Sequence, residues 1–152
     1  MDLSLLITPD RIACDVSASS KKRALEALSE LLARDDDELS AADVFDSLIA
    51  RERLGGTGLG FGVAIPHGRL KDKDKTIGAF VRLSEGVDFD AVDNQPVDLL
   101  FALLVPENST EEHLQILATL AELFNRSEVR DALRQAKSVQ AIHALLTSRR
   151  GD

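Results

Sequence analysis

Apolar positions along this chain follow two rhythms, every second residue or every three to four, and prolines, glycines and capping hydroxyls mark the changes between them. After a short apolar lead, Thr8-Pro9-Asp10 punctuates, and residues 11–16 read as a first strand. Ser19 or Ser20 can cap a helix running to about Arg34, with Ala24, Leu28, Leu31 and Leu32 on its apolar face. Ser40 followed by Asp43 is an Asp-containing variant of the capping box. It opens a second predicted helix through Val44, Phe45, Leu48 and Ile49, which ends at the glycines after Leu54. Residues 63–65 form a short apolar strand stopped by Pro66. A polar turn over 71–75 leads to a strand over 76–83, and residues 86–93 hold a turn-flanked extended piece.

Residues 96–106 carry the strongest strand signal, a nearly unbroken apolar run between Pro96 and Pro106. Such a run predicts a central strand covered on both faces. Ser109 with Glu112 three positions on matches a capping box and opens a helix to Phe124. Ser127 and Ser138 can cap two further helices ending near Arg150. Helices before, between and after strands predict an α/β fold: one single-domain sandwich over residues 1–152, a mixed β-sheet flanked by helices on both faces. Some connections are long enough for crossovers, and others look like hairpins.

Composition narrows the functional classes. A net charge of −8 argues against nucleic acid, which demands clustered cations. The densest charge run, Asp35-Asp36-Asp37-Glu38, lacks the spacing, central glycine and distal glutamate of a calcium loop, and reads as a solvated turn. No segment approaches the ~20 apolar residues needed to cross a bilayer. The start, Met1-Asp2-Leu3-Ser4, lacks the basic and apolar regions of a secretory signal. A single cysteine, Cys14, excludes an internal disulfide and fits a reducing cytoplasm; among Ile12, Ala13 and Val16 it reads as a small buried hydrophobe. No membrane insertion and a cytoplasmic location are the expectations.

Candidate chemistry concentrates in residues 51–68, where six of the nine glycines fall (Gly55, Gly56, Gly58, Gly60, Gly62 and Gly68) and His67 follows Pro66. Glycine is used where φ turns positive or where a ligand meets bare backbone. Amides around an imidazole suit an anion such as phosphate, with Thr57, Gly58, Gly60, Gly62 and Gly68 as loop candidates. His67 is expected at the C-terminal edge of the preceding strand, where ligands gather in α/β folds. At an unperturbed pKa it is roughly three quarters neutral at pH 7 and able to attack. His113 shares a helix face with Ile116, Leu117, Leu120 and Phe124, so it can converge with His67 across a cleft or serve as a satisfied histidine at the core margin. Arg51 and Arg53 can pair with a phosphoryl dianion, or sit at a helix C-terminus where the dipole favours cations. His143 in the last helix has no chemical company.

Several chemistries lack their parts. No Gly-Lys-Ser/Thr follows the glycines, and they precede a strand instead of opening a helix, which disfavours nucleotide binding. There is no Gly-x-Ser-x-Gly elbow or Cys/His pair for acyl transfer. Too few ligands accompany the histidines for zinc, so no metal is expected.

Residues 51–68, ending Ala64-Ile65-Pro66-His67-Gly68, resemble the active-site signature of enzyme IIA proteins of the phosphotransferase system, fructose/mannitol-type superfamily. Phe89-Asp90-Ala91, the run from Gln95 to Pro106, and Glu112-His113-Leu114 are similar to the nitrogen-regulatory branch, enzyme IIA(Ntr). The resemblance covers nearly the whole chain. It implies that His67 is phosphorylated on Nε2 by an HPr-like carrier (NPr or HPr), that His113 orients or hydrogen-bonds the phosphoryl group, and that Arg51 neutralises its charge. It also implies a mixed sheet flanked by helices, no metal or organic cofactor, and regulatory targets such as sensor kinases or potassium transporters. Phe61 stands where many relatives carry asparagine, and Gly56 where serine is frequent; both bear on partner choice and loop hydrogen bonding.

The expected function is a phosphoryl-group carrier whose phosphorylation state is read by regulatory partners. Three alternatives stay open: a sugar-specific IIA subunit feeding a IIB domain, a non-catalytic regulatory binding module, and a phosphate-binding hydrolase.

Overall fold

The computed structural model describes residues 2–71, 74–108 and 110–148. Its strands are β1 (Ile12–Val16), β2 (Gly58–Gly60), β3 (Val63–Ala64), β4 (His67–Leu70), β5 (Ile77–Val87) and β6 (Val97–Pro106). Its helices are α1 (Lys21–Ala33), α2 (Ala41–Leu54), α3 (Thr110–Phe124), α4 (Ser127–Gln135) and α5 (Val139–Thr147). The strands join in one mixed sheet, ordered β1-β5-β6-β3-β2, with β4 also paired to β6. β1 runs parallel to β5, β3 and β4 run parallel to β6, and β5–β6 is antiparallel.

The apolar run of β6 makes it the spine of both cores. Leu99, Phe101, Leu103 and Val105 point to one face, against Ile116, Leu120 and Phe124 of α3, Leu133 of α4 and Ile142 of α5. Leu100, Ala102 and Leu104 point to the other, against Leu25 and Leu28 of α1 and Val44 and Leu48 of α2. Alternation along a strand sends successive side chains to opposite faces, so only a continuous apolar run serves two helical layers. Helices on both faces are thus present as expected.

Capping hydroxyls fix most helix starts. Ser20 accepts from the Arg23 N–H at 3.2 Å, Ser40 from Asp43 at 3.0 Å, and Ser138 from Ala141 at 3.0 Å. Ser127 does not cap as expected: it is the first residue of α4, and Arg126 occupies the cap position without a side-chain hydrogen bond. The expected cap at Ser109 lies outside the described residues, as do residues 72 and 73 of the expected polar turn and the chain beyond Ser148. Among the described residues no helix is long and apolar enough to cross a membrane.

The apolar lead is part of the core. Leu3, Leu6 and Ile7 are buried beneath α5, and the Leu6 carbonyl accepts from the Gly78 N–H at 2.7 Å. Arg11 pins the same seam, donating from Nε to the Gly78 carbonyl at 2.9 Å and from Nη2 to the Leu6 carbonyl at 3.0 Å. His143, without chemical company in the sequence, has Nε2 3.2 Å from the Ile7 carbonyl and ties α5 to this lead.

Candidate functional site

Pro66 does not end the strand region. The chain breaks its ladder at Ile65-Pro66 and resumes at once as β4, still parallel to β6, with His67 opposite Leu103 and Arg69 opposite Val105. His67 therefore opens a strand, whereas the sequence placed it at the end of one. The reason lies in β6, which is long enough to pair first with β3 at Leu99 and Leu100 and then with β4. The Pro66 carbonyl accepts from the Leu103 N–H at 2.9 Å and carries the ladder across the break.

Two-residue periodicity then distributes the site. His67 and Arg69 share the face of Leu103 and Val105, on which α3 packs. Gly68 faces α2, where an added Cβ would overlap the Ser47 side chain and its backbone. Glycine lets α2 lie close to β4 at this point.

His67 and His113 meet edge to face, their ring centroids 4.9 Å apart and the planes at 72°. Both are buried, His67 at 7% and His113 at 5% exposure. His67 Nδ1 lies 2.9 Å from the Ile65 carbonyl. A carbonyl only accepts, so Nδ1 carries the proton and Nε2 keeps its lone pair. Burial lowers the His67 pKa; the Ile65 carbonyl opposes that, Arg51 lowers it further, Glu52 raises it, and Arg69 lowers it. The imidazole is thus not the unperturbed ring assumed from sequence, and the neutral form is favoured at pH 7. His113 is pushed down to about 4, by burial first and then by His67, Arg69 and Arg51.

Arg51 stands at the end of α2 and folds back, donating from Nη1 to the Gly55 carbonyl at 2.7 Å. That bond caps the helix, while the guanidinium acts on both histidines. The helix-terminus role suggested by the sequence is thus met by Arg51, whose guanidinium also lowers the pKa of both imidazoles. Arg53 is exposed, and the cations that lower the two rings' pKa values are Arg51 and Arg69.

Two residues of the cluster escaped the sequence reading. Arg69 places Nη2 3.4 Å from His113 Nδ1 and donates from Nη1 to the Glu107 carbonyl at 3.1 Å. Its signal was the two-residue spacing from His67, hidden while Pro66 was read as a strand stop. Glu52 is buried at 6% exposure, with Lys21 Nζ of α1 2.9 Å from its Oε2. Its signal was the four-residue step through Val44 and Leu48, which puts a carboxylate on the buried stripe of α2.

The glycine stretch is a hairpin, not a ring of open amides. β2 pairs antiparallel with β3, Gly58 opposite Ala64 and Gly60 opposite Val63. Gly62 turns the chain at φ +79°, and an added Cβ there would strike the Arg134 guanidinium and Asp98. The Gly62 carbonyl accepts from the Asp98 and Leu99 N–H groups, each at 3.0 Å. Thr57 is engaged as well: its hydroxyl donates to the Glu52 carboxylate, and its N–H lies 3.4 Å from Glu52 Oε2. Of the loop candidates, Thr57, Gly58, Gly60, Gly62 and Gly68 all serve packing or pairing in this structure. Phe61, at the hairpin tip, is 59% exposed, and the Arg130 guanidinium lies 4.3 Å from its ring centroid.

The sequence matches the family model for the phosphoenolpyruvate-dependent sugar phosphotransferase system, EIIA 2, over residues 5–149. A nitrogen regulatory protein of Pseudomonas aeruginosa is 47% identical over 144 residues, covering 95% of this chain and 94% of its own. A fructose-specific EIIA component of the phosphotransferase system of Haloferax volcanii is 38% identical and covers 95% of this chain and 94% of its own. Among solved structures, the nitrogen regulatory protein IIA-Ntr of Neisseria meningitidis superposes with a TM-score of 0.88 at 48% identity, covering 95% of this chain and 97% of that one.

Proposed function

The chain belongs to the EIIA type 2 family of the phosphotransferase system, and from that premise we propose that it is a nitrogen-type phosphocarrier that accepts a phosphoryl group on His67 Nε2 and signals through its phosphorylation state. The observation that carries this reading is the buried pair of imidazoles flanked by Arg51 and Arg69, with His67 Nδ1 tied to the Ile65 carbonyl.

Phosphoryl transfer needs an aligned nucleophile, neutralised charge and placed donors more than covalent help. His67 Nε2 attacks the phosphorus of a phosphohistidine on an HPr-like carrier. One N–P bond forms as the other breaks, and the carrier's imidazole leaves with its electron pair. His67 Nδ1 keeps its proton against the Ile65 carbonyl throughout, so no separate base is required. Arg51 and Arg69 offset the charge of the phosphoryl oxygens, and His113 orients the group. Regulatory proteins of the cytoplasm read the outcome.

Incubation with a phosphorylated HPr-like carrier, followed by mass spectrometry, should locate an acid-labile adduct on His67 and find none in His67→Ala. Adduct retained in that variant overturns the mechanism. His113→Ala should slow transfer by more than the loss that truncating a buried side chain imposes on folding; an unaltered rate makes its role structural. The likeness to the fructose-specific component supports a second reading, a IIA subunit that passes phosphate to a IIB domain for sugar uptake. Complementation of a fructose- or mannitol-transport defect separates the two.

A further inference from the structure

His113 presents an unusual pair of nitrogens. Nδ1 lies 3.4 Å from the Arg69 guanidinium, while Nε2 is buried with no hydrogen-bond partner among the described residues. A guanidinium has donors and no acceptor, so a ring nitrogen facing it must offer a lone pair. The ring is neutral near pH 7. Its one proton is then on Nε2, which makes that atom a buried donor without an acceptor. Such groups are uncommon in folded proteins, and one beside a nucleophile points to a guest.

We propose that Arg69 is a positioning residue that holds His113 in its Nε2–H tautomer, so that a donor is ready for an oxygen of the phosphoryl group carried by His67. The two imidazoles are set in opposite senses by opposite partners. A carbonyl, which only accepts, puts the His67 proton on Nδ1 and frees Nε2 to attack. A guanidinium, which only donates, puts the His113 proton on Nε2. Arg69 is itself braced, because Nη1 donates to the Glu107 carbonyl at 3.1 Å, and Glu107 continues the β4–β6 ladder through its N–H to the Leu70 carbonyl at 3.2 Å. The brace therefore belongs to the same ladder that positions His67. The inference rests on the phosphocarrier reading for its purpose, although the tautomer can be observed without any phosphate.

The test is nitrogen-15 NMR of the imidazole side chains in the full chain at pH 7, with transfer from the phosphorylated HPr-like carrier measured in parallel. The wild-type His113 should show a protonated Nε2 and a bare Nδ1. Arg69→Ala, at an exposed strand position, should bring in the Nδ1–H form and slow transfer roughly ten- to hundredfold, the scale of a misplaced catalytic group. Arg69→Lys, again a pure donor, should restore much of both. A wild-type His113 protonated on Nδ1, or an Arg69→Ala variant with unchanged tautomer or unchanged transfer rate, overturns the proposal. A wild-type chain with the expected tautomer that takes no phosphate overturns the carrier reading, and the proposal with it.

Discussion

Burial governs the two imidazoles ahead of any single charge, since removing an imidazolium from water favours the neutral ring. The folded His113 titrates at about 4 and the unfolded one near 6.5. Between those values the unfolded chain binds more protons, so stability is full above about 6.5, falls as pH drops toward 4, and levels off below. The lowered His67 adds to the same trend. Urea midpoints at pH 7 and pH 5 should show this loss, and His113→Gln should make it shallower; an equal slope in the variant removes the cause. Glu52 is a different case, a buried carboxylate paired with Lys21 Nζ at 2.9 Å and hydrogen-bonded by the Thr57 hydroxyl. Lys21→Met leaves that carboxylate without its cation and should lower unfolding stability by about 3 kcal/mol. A change near zero would show that the ion pair contributes nothing net to folding.

At the scale of elements, starts and close approaches decide more than propensity. Ser138 caps α5 through the Ala141 N–H, whereas Ser127 lies inside α4 and caps nothing. Ser138→Ala should cost about 1 kcal/mol, and Ser127→Ala should fall within about 0.5 kcal/mol of the parent, both read from urea unfolding. Equal losses would contradict the two cap geometries. Gly68 is where α2 rests on β4, so Gly68→Val must push the Ser47 segment aside. A loss of about 1–3 kcal/mol is expected from that overpacking. Because β4 carries His67, transfer from the carrier should slow in the same variant. The hairpin tip shows a different balance. Phe61 adopts φ 58°, a conformation that favours asparagine or glycine, yet its N–H is held by the Asp93 carboxylate at 2.9 Å and its carbonyl by Arg134 at 2.6 Å.

Across the whole molecule, a net charge of −8 surrounds a site where arginines act on both histidines. A protein donor with complementary charge is steered through such a field, so stopped-flow association of the carrier should slow as salt rises. An association rate constant that stays flat from low to physiological ionic strength excludes steering. The apolar run of β6, the hydroxyl caps of α1, α2 and α5, and the inward face of α3 were all legible, because each is written in local spacing. The Pro66 break was misread because proline removes one ladder donor without fixing where the next strand begins. Only the length of β6 shows that β3 and β4 share its edge. The glycines were read as a ligand loop because spacing alone cannot tell open backbone from backbone pressed against Asp98, Arg134 or Ser47.

The amino-acid order by itself determined the sheet's central strand and the two-sided helical cover, and it singled out His67 and His113 as candidates for chemistry. Those follow from periodicity and residue type, which act over a few positions. Tertiary structure decided which residues join them: Arg69 on the face of β4 toward α3, Glu52 beneath the hairpin, and the lone pair left on His67 Nε2. The first two depend on groups brought together from distant parts of the chain, and the third on a two-residue contact at the ladder break that β6 sets; a burial penalty exists only once those parts are packed.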